Sequence, residues 1–356
     1  MPRLFESLTI NKMVLQNRFV RSATVENLGH EGKVTDTLLA LYRDLAKGDV
    51  GLIVTGGLST KKAGEIIPGQ LAADSDETIP GLKRLVRVVH EHGGKIAAQL
   101  LHAGWNCRPE VTGSQPEGPS AIINPHTGLQ VRELSGDEIH ELVDFFVQAA
   151  RRAMEAGFDA VQLHGAHSHL MSSFLSPVTN KREDQWGGSA EGRSRFPMEI
   201  YRGIRESTGP DYPILIKLGM VDIHPKGKPL SEGIKTAMLL EKEGIDAIEI
   251  SEGLEADPMN HVRLDGISPF YLEECRQSRD NLSLPLILVG GMRTFSDMEA
   301  VLREGVADGI SMCRPLIMDP FLVRKFKEGQ TDSSDCTSCN GCVEQVMQGD
   351  LRCILV

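Results

Sequence analysis

Ala156-Gly157-Phe158-Asp159-Ala160-Val161-Gln162-Leu163 is the stretch that decides the fold, because it recurs. Lys47-Gly48-Asp49-Val50-Gly51-Leu52-Ile53-Val54 and Glu243-Gly244-Ile245-Asp246-Ala247-Ile248-Glu249-Ile250 repeat it, and Glu304-Gly305-Val306-Ala307-Asp308-Gly309-Ile310-Ser311 repeats it more loosely. Each reads as a polar helix end, a glycine able to take the left-handed cap conformation, then a short β-branched strand. Upstream segments such as Glu141 to Glu155 carry apolar residues at helical spacing with charges between them. A helix handing over to a buried strand, repeatedly, is the sequence form of parallel β/α architecture.

Further strands are expected at Phe19–Ser22, Ile96–Leu100, Ile214–Leu218 and Leu286–Val289. Eight strands over about 300 residues favour a closed (β/α)8 TIM barrel. A doubly wound sheet is the alternative, but no Gly-x-Gly-x-x-Gly follows any strand. Cys107 to Val131, rich in Pro, Gly, Ser and Asn, reads as an insertion after the third strand. The barrel pattern stops near Gly329, which divides the chain into a barrel of residues 1–328 and a cysteine-rich segment of residues 329–356.

The 356 residues are 40% hydrophobic and 24% charged, ordinary for a globular enzyme and incompatible with a disordered or collagenous chain. A formal charge of −11 with no local basic stripe argues against nucleic acid. No apolar run approaches the roughly 18 residues of a membrane helix, and the N-terminus lacks signal-peptide features. A soluble cytoplasmic protein is the expectation.

In a barrel the chemistry lies at the carboxyl ends of the strands. Those ends read Ser22-Ala23-Thr24-Val25, Gly56-Gly57, Gln99 with His102, His164 with His167 and His169, Lys217, Ser251, Gly290-Gly291 and Cys313-Arg314. Gly290-Gly291, a helix starting near Ser296 and Arg314 at the next strand end suit a phosphate: backbone N–H groups, a helix N-terminus and a guanidinium would cooperate. The plainer reading of the glycines is a tight turn. For His164 and His167 the plainer readings are a metal pair or satisfied core histidines, and no carboxylates stand beside them in sequence to favour metal.

Four of the seven cysteines form C-x2-C-x2-C-x10-C: Cys336, Cys339, Cys342 and Cys353. An odd total without an export signal argues against a disulfide framework. Three closely spaced thiolates plus a returning one suit a [4Fe–4S] cluster, with four-thiolate zinc as the alternative. Cys275, in a helical pattern, reads as core. Trp105, Asn106 and Cys107 are expected at the mouth or in surface packing, and Arg182, Asp184, Trp186 and Arg195 as the residues ordering the loop after the fourth strand.

Several motifs in order resemble the Old Yellow Enzyme family over essentially residues 3–325. They are Asn17-Arg18-Phe19-Val20-Arg21-Ser22-Ala23-Thr24, Gly51 to Gly57, Gln99-Leu100-Leu101-His102-Ala103-Gly104, His164-Gly165-Ala166-His167, Phe174 to Arg182, Gly187-Gly188-Ser189, Arg193 to Phe196, Val289-Gly290-Gly291 and Arg314-Pro315. The Cys-Asn-Gly-Cys core resembles the branch of 2,4-dienoyl-CoA reductase and trimethylamine dehydrogenase. The resemblance implies a barrel holding FMN non-covalently and reducing activated C=C bonds. It assigns Gln99 and Lys217 to the flavin pyrimidine edge, Gly57 to backbone approach, and Gly291, Cys313 and Arg314 to the phosphate. His164 and His167 become donors to a substrate carbonyl.

Two departures accompany it. His169 stands where relatives carry a proton-donating Tyr; imidazolium is a competent donor near neutral pH, with water as the alternative. Val25 stands where relatives place Thr or Cys, which rules out a cysteinyl–flavin bond there, and strand alternation turns Thr24 elsewhere. The branch continues into FAD- and NAD(H)-binding domains, so the ending at Val356 implies a separate electron-transfer protein or flavoprotein subunit, or direct reduction by NAD(P)H. The leading expectation is a reductase of an α,β-unsaturated carbonyl, such as a CoA thioester or a polycyclic enone. An amine or N-methyl dehydrogenase and an electron-transfer subunit are the rivals, and an oligomer is compatible with each.

Overall fold

The repeated Gly-to-strand units close into one parallel sheet. In the computed structural model, which describes residues 3–254, 269–349 and 351–356, eight strands line the barrel. They are β1 (Phe19–Arg21), β2 (Leu52–Val54), β3 (Lys95–Leu101), β4 (Ala160–Gly165), β5 (Ile214–Val221), β6 (Ala247–Glu252), β7 (Leu286–Val289) and β8 (Gly309–Met312). Each pairs in parallel with its sequence neighbours; β8 returns to β1 through Ile310 opposite Phe19, closing the ring. Around it lie α1 (Asp36–Lys47), α2 (Ile79–His90), α3 (Gly136–Ala156), α4 (Ala190–Thr208), α5 (Leu230–Glu243), α6 (Leu272–Arg279), α7 (Phe295–Arg303) and α8 (Leu322–Lys327). The insertion after β3 holds a short helix, Pro109–Thr112, and the pairing of Glu117–Gly118 with Arg132–Glu133.

Helix α3 shows why these segments are helical. Ser135 and Glu138 form a reciprocal capping box at its start, and Ile139, Leu142, Phe146, Ala149, Ala150 and Ala153 bury one face against the barrel. Gly157 ends it at φ 92°, as Gly244 ends α5 at φ 104°, and Gly305 follows α7 at φ 71°. The first repeat departs from this expectation. Gly48 has φ −74° and the left-handed residue is Asp49, at φ 64°. Gly48 is required for another reason: a Cβ there would lie 1.9 Å from the Pro320 carbonyl oxygen.

Alternation along the strands sorts the barrel interior into layers. The lower layer is apolar, with Val20, Leu52, Ala97, Ala160, Leu215, Ala247 and Ile287 packed against an antiparallel hairpin of Leu8–Ile10 and Met13–Leu15. Alanine on three strands leaves room for the hairpin side chains that plug the bottom. Two residues further along, five of these faces turn polar, at Ser22, Gln99, Gln162, Lys217 and Glu249, joined by Ser311 of β8 and all buried, while β2 and β7 stay apolar with Val54 and Val289. The apolar plug thus sets a floor beneath a polar chamber that opens at the carboxyl ends.

Candidate active site

The polar chamber is one connected network. Glu249, fully buried, accepts hydrogen bonds from Ser22 Oγ (2.9 Å) and Ser311 Oγ (2.8 Å) on one oxygen and from Gln162 Nε2 (2.8 Å) on the other. Lys217 Nζ lies 3.2 Å from Glu249 and donates to Ser22 Oγ at 2.6 Å. Gln99 donates from its side chain to Gln162 Oε1 at 2.8 Å and from its backbone N–H to Thr55 Oγ1 at 3.1 Å. The structure therefore brings Ser22, Gln99 and Lys217 together, and adds Gln162, Glu249 and Ser311, which sequence reasoning missed.

The three histidines gather above this layer. The His164 ring lies 5.1 Å from that of His167 and 4.9 Å from that of His169, centroid to centroid. After β4 the chain turns sharply, with His167 and Ser168 both left-handed at φ 56° and 58°. Such a pair costs about 1–3 kcal/mol per residue and persists only where its surroundings enforce it. Here His167 N donates to Glu252 O and Ser168 N to Gly253 O, while the Trp105 indole and the Asn106 amide both donate to Ser168 O. Trp105 and Asn106 thus belong to the support of this turn, and Cys107 is buried behind them. His167 Nε2 lies 2.8 Å from Ser251 Oγ. His164 Nδ1 is buried with no hydrogen-bond partner among the described residues.

Burial first, and then the proximity of His169, His167 and the Lys217 ammonium, holds the His164 pKa well below its ordinary value, so this imidazole stays neutral. His102 is different. Its Nδ1 accepts from Gly104 N at 3.1 Å, its Nε2 faces Glu117 at 3.5 Å, and a Cβ on Gly64 would strike its ring. Burial, followed by Lys61 and His169, depresses its pKa to about 3. Both histidines are neutral when folded and take up a proton when unfolded. Below pH 6.5 the unfolded chain binds more protons, so stability falls with pH by about 1.4 kcal/mol per unit for each, for His102 down to about pH 3. Denaturation midpoints at pH 7 and pH 5 check this; equal midpoints would refute it.

The other strand ends form two adjoining cavities. Gly290 and Gly291, at φ 93° and 75°, line the first with Arg293, Cys313, Arg314 and Ser338. At the α7 N-terminus Phe295 N is taken by Asp332 O at 2.8 Å and Asp297 N by the Thr294 side chain at 3.2 Å, while Arg293 stands in the cavity lining. The second cavity is lined by Cys336, Cys339, Cys342 and Cys353, with Arg314 and Ser338 shared between the two. Burial, then the Cys313 and Cys336 thiols, pushes Cys342 up to about 11. Among the described residues no three His, Cys, Asp or Glu side chains are grouped as ligands of a single metal ion.

Thr24 Oγ1 contacts Cys313 Sγ at 3.1 Å, Ala23 packs on the lower apolar layer, and Val25 lines a cleft with Gly56 and Gly57. A Cβ on Gly57 would come within 2.8 Å of Leu101, so its small size already serves packing within the chain. Arg182 orders the loop after β4 as expected, donating to Pro119 O and Leu134 O and pairing with Asp184 beside buried Trp186. Arg195 departs from that expectation: it is half-exposed, 6.0 Å over the Trp186 ring. Cys275 is buried, its thiol pushed up to about 12 by burial.

A closed barrel with these strand-end residues has known counterparts. The sequence profile of the NADH:flavin oxidoreductase / NADH oxidase family matches residues 3–333. The chain belongs to this family. The NADH oxidase of Thermoanaerobacter brockii is 38% identical over 350 residues, 96% of the chain and 54% of that protein, so the chain spans about half of its relative's length. A 2-naphthoyl-CoA reductase in complex with 2-naphthoyl-CoA superposes with a TM-score of 0.94 at 30% identity, covering 99% of this chain and 57% of that one. Histamine dehydrogenase from Rhizobium sp. 4-9 gives 0.88 at 29%, covering 98% and 51%. The Old Yellow Enzyme resemblance and its branch are borne out. No helix among the described residues is long and apolar enough to cross a membrane. The residues present fit FMN: two guanidiniums and two left-handed glycines suit a phosphate, and a buried ammonium with primary amides suits a pyrimidine edge.

Proposed function

We propose that this oxidoreductase reduces a C=C bond conjugated to a carbonyl. The observation that carries the reading is the neutral, buried His164, whose Nδ1 has no partner among the described residues, beside His167 and above Lys217. The Lys217 ammonium, which adds to burial in keeping this imidazole neutral, also repels an ammonium substrate and stabilises negative charge developing on a carbonyl oxygen. FMN, when bound, would supply the hydride equivalent that adds to the β-carbon. Lys217 and Gln99 would hold its pyrimidine edge, with Gly57 beside it, and Arg293, Arg314, Gly290, Gly291 and Cys313 its phosphate. Ser22, Ala23, Thr24 and Val25 would frame it from the β1 end. His164 and His167 donate to the carbonyl, and His169 gives a proton to the α-carbon.

The likeness to a 2-naphthoyl-CoA reductase supports an acyl thioester as the substrate class, and the family description supports NAD(P)H as the reductant. An amine dehydrogenase is the second reading, favoured by the likeness to histamine dehydrogenase. We assign residues 1–328 to the flavin barrel and 329–356 to a segment whose Cys336, Cys339, Cys342 and Cys353 hold a [4Fe–4S] cluster, through which an electron-transfer partner would be reached. That the four thiols line one cavity supports this reading.

The deciding experiment is anaerobic incubation of the flavin-loaded protein with NADPH and 2-cyclohexenone, with iron and acid-labile sulfide assayed on the same sample. Formation of cyclohexanone and about four irons per chain is the expected result. Bleaching by histamine or trimethylamine without alkene reduction would overturn the reductase reading, and zinc without sulfide would overturn the cluster.

A further inference from the structure

Among the described residues, the side-chain hydrogen-bond partners of the two arginines of the phosphate cavity come from outside the barrel that carries them. Arg314 Nη1 donates to Asn340 Oδ1 at 2.8 Å, and the Arg293 guanidinium donates to Ser338 Oγ. Both acceptors lie inside the Cys336–Cys342 loop, between its cysteines. Both are non-glycine residues in the left-handed region, Ser338 at φ 58° and Asn340 at φ 62°. Ser338 is itself buried, and Ser338 and Arg314 line the phosphate cavity and the thiol cavity alike.

The loop is tied to the barrel on two sides. Ser334 N donates to Arg293 O at 3.0 Å and Thr294 bridges to Ser333; from the β1 loop, Asn27 Nδ2 donates to Val346 O at 2.8 Å. Fixing an arginine side chain costs rotamer entropy, so a receptor that meets the phosphate with pre-aimed guanidiniums binds it more tightly. Asparagine takes the left-handed region readily, but Ser338 there needs support from its surroundings, which ligation of the flanking thiolates would supply.

We infer that Ser338 and Asn340 are positioning residues for the flavin phosphate, and that FMN affinity is coupled through them to the ordering of the thiol loop. The inference rests on the phosphate assignment made above. Coupling of this kind is reciprocal: a bound phosphate also strengthens retention of whatever the thiols hold. It acts only on ligands that carry the phosphate, because neither side chain lines the cleft between Val25 and Gly57.

The test titrates FMN and riboflavin, which lacks the phosphate, into the full chain stripped of flavin, reading quenching of flavin fluorescence. Four proteins are compared: the unaltered chain, Arg314→Ala, Ser338→Gly with Asn340→Gly, and Cys336→Ser with Cys342→Ser. Glycine removes the acceptors while keeping a left-handed backbone accessible. Each variant is expected to weaken FMN tenfold or more and to leave riboflavin unchanged. FMN affinity unaltered in the glycine or the serine pair, while Arg314→Ala weakens it, would overturn the coupling. FMN and riboflavin weakened together would also overturn it, as general damage to the barrel. If Arg314→Ala leaves FMN unaffected, the phosphate assignment falls and the inference with it.

Discussion

Glu249→Leu is expected to destabilise the protein by about 3–5 kcal/mol, the range for removing one partner of a buried ion pair. The carboxylate has four partners for its two oxygens: Ser22, Ser311, Gln162 and Lys217. Its removal leaves the Lys217 ammonium buried with Ser22 Oγ as its one acceptor among the described residues, and strands the Gln162 and Ser311 donors. Glu249→Gln keeps most of the acceptor geometry and removes only the charge, so it should fall between the two. Glu249→Leu combined with Lys217→Met deletes both charges and should recover part of the loss, because the expense lies in the unpaired ion more than in the absent pair. Denaturant midpoints of the three variants decide it. A Glu249→Leu protein within 1 kcal/mol of the original would refute the network as a support of the chamber.

The same network marks where sequence reading succeeds and where it stops. All eight strands were legible because the Gly-to-strand unit repeats and a buried parallel strand needs a run of apolar residues. The residues at the strand ends were legible as a set of donors. Gln162, Glu249 and Ser311 were missed, although a polar residue in an otherwise apolar buried strand was visible at each. Their meaning appears only when closure of the ring places the three faces in one layer. Arg293 and Ser338 were missed for a related reason: their contact spans 45 residues and depends on a loop folding back over β7 and β8. The α7 N-terminus was expected to serve a phosphate, yet Asp332, from the same returning segment, occupies its first N–H. Local rules foresaw the groups that could bind; tertiary competition determined which of them were still available.

His164→Ala is expected to lower kcat/KM for 2-cyclohexenone reduction by about 10²–10³, the effect of removing one donor to a developing oxyanion. For His167 the test is His167→Asn, because asparagine tolerates the left-handed backbone that alanine would strain. An asparagine amide still donates but falls short of the imidazole's reach, so a smaller loss of the same kind is expected. Donation to the carbonyl strengthens as negative charge grows, and so both changes should lower kcat as well as kcat/KM, with KM moving little. A purely structural role would show instead as lost flavin or a lower denaturation midpoint, and both are measured on the same samples. The pH profile supplies an independent check. Because burial, with the neighbouring histidines and the Lys217 ammonium, holds the His164 pKa well below its ordinary value, its protonation cannot produce a fall in rate between pH 8 and pH 6.5, and any acid limb there must survive in His164→Ala. If His164→Ala turns over within threefold of the original enzyme, the histidines do not polarise a carbonyl, and the chemistry of this barrel shifts to the amine or the electron-transfer reading.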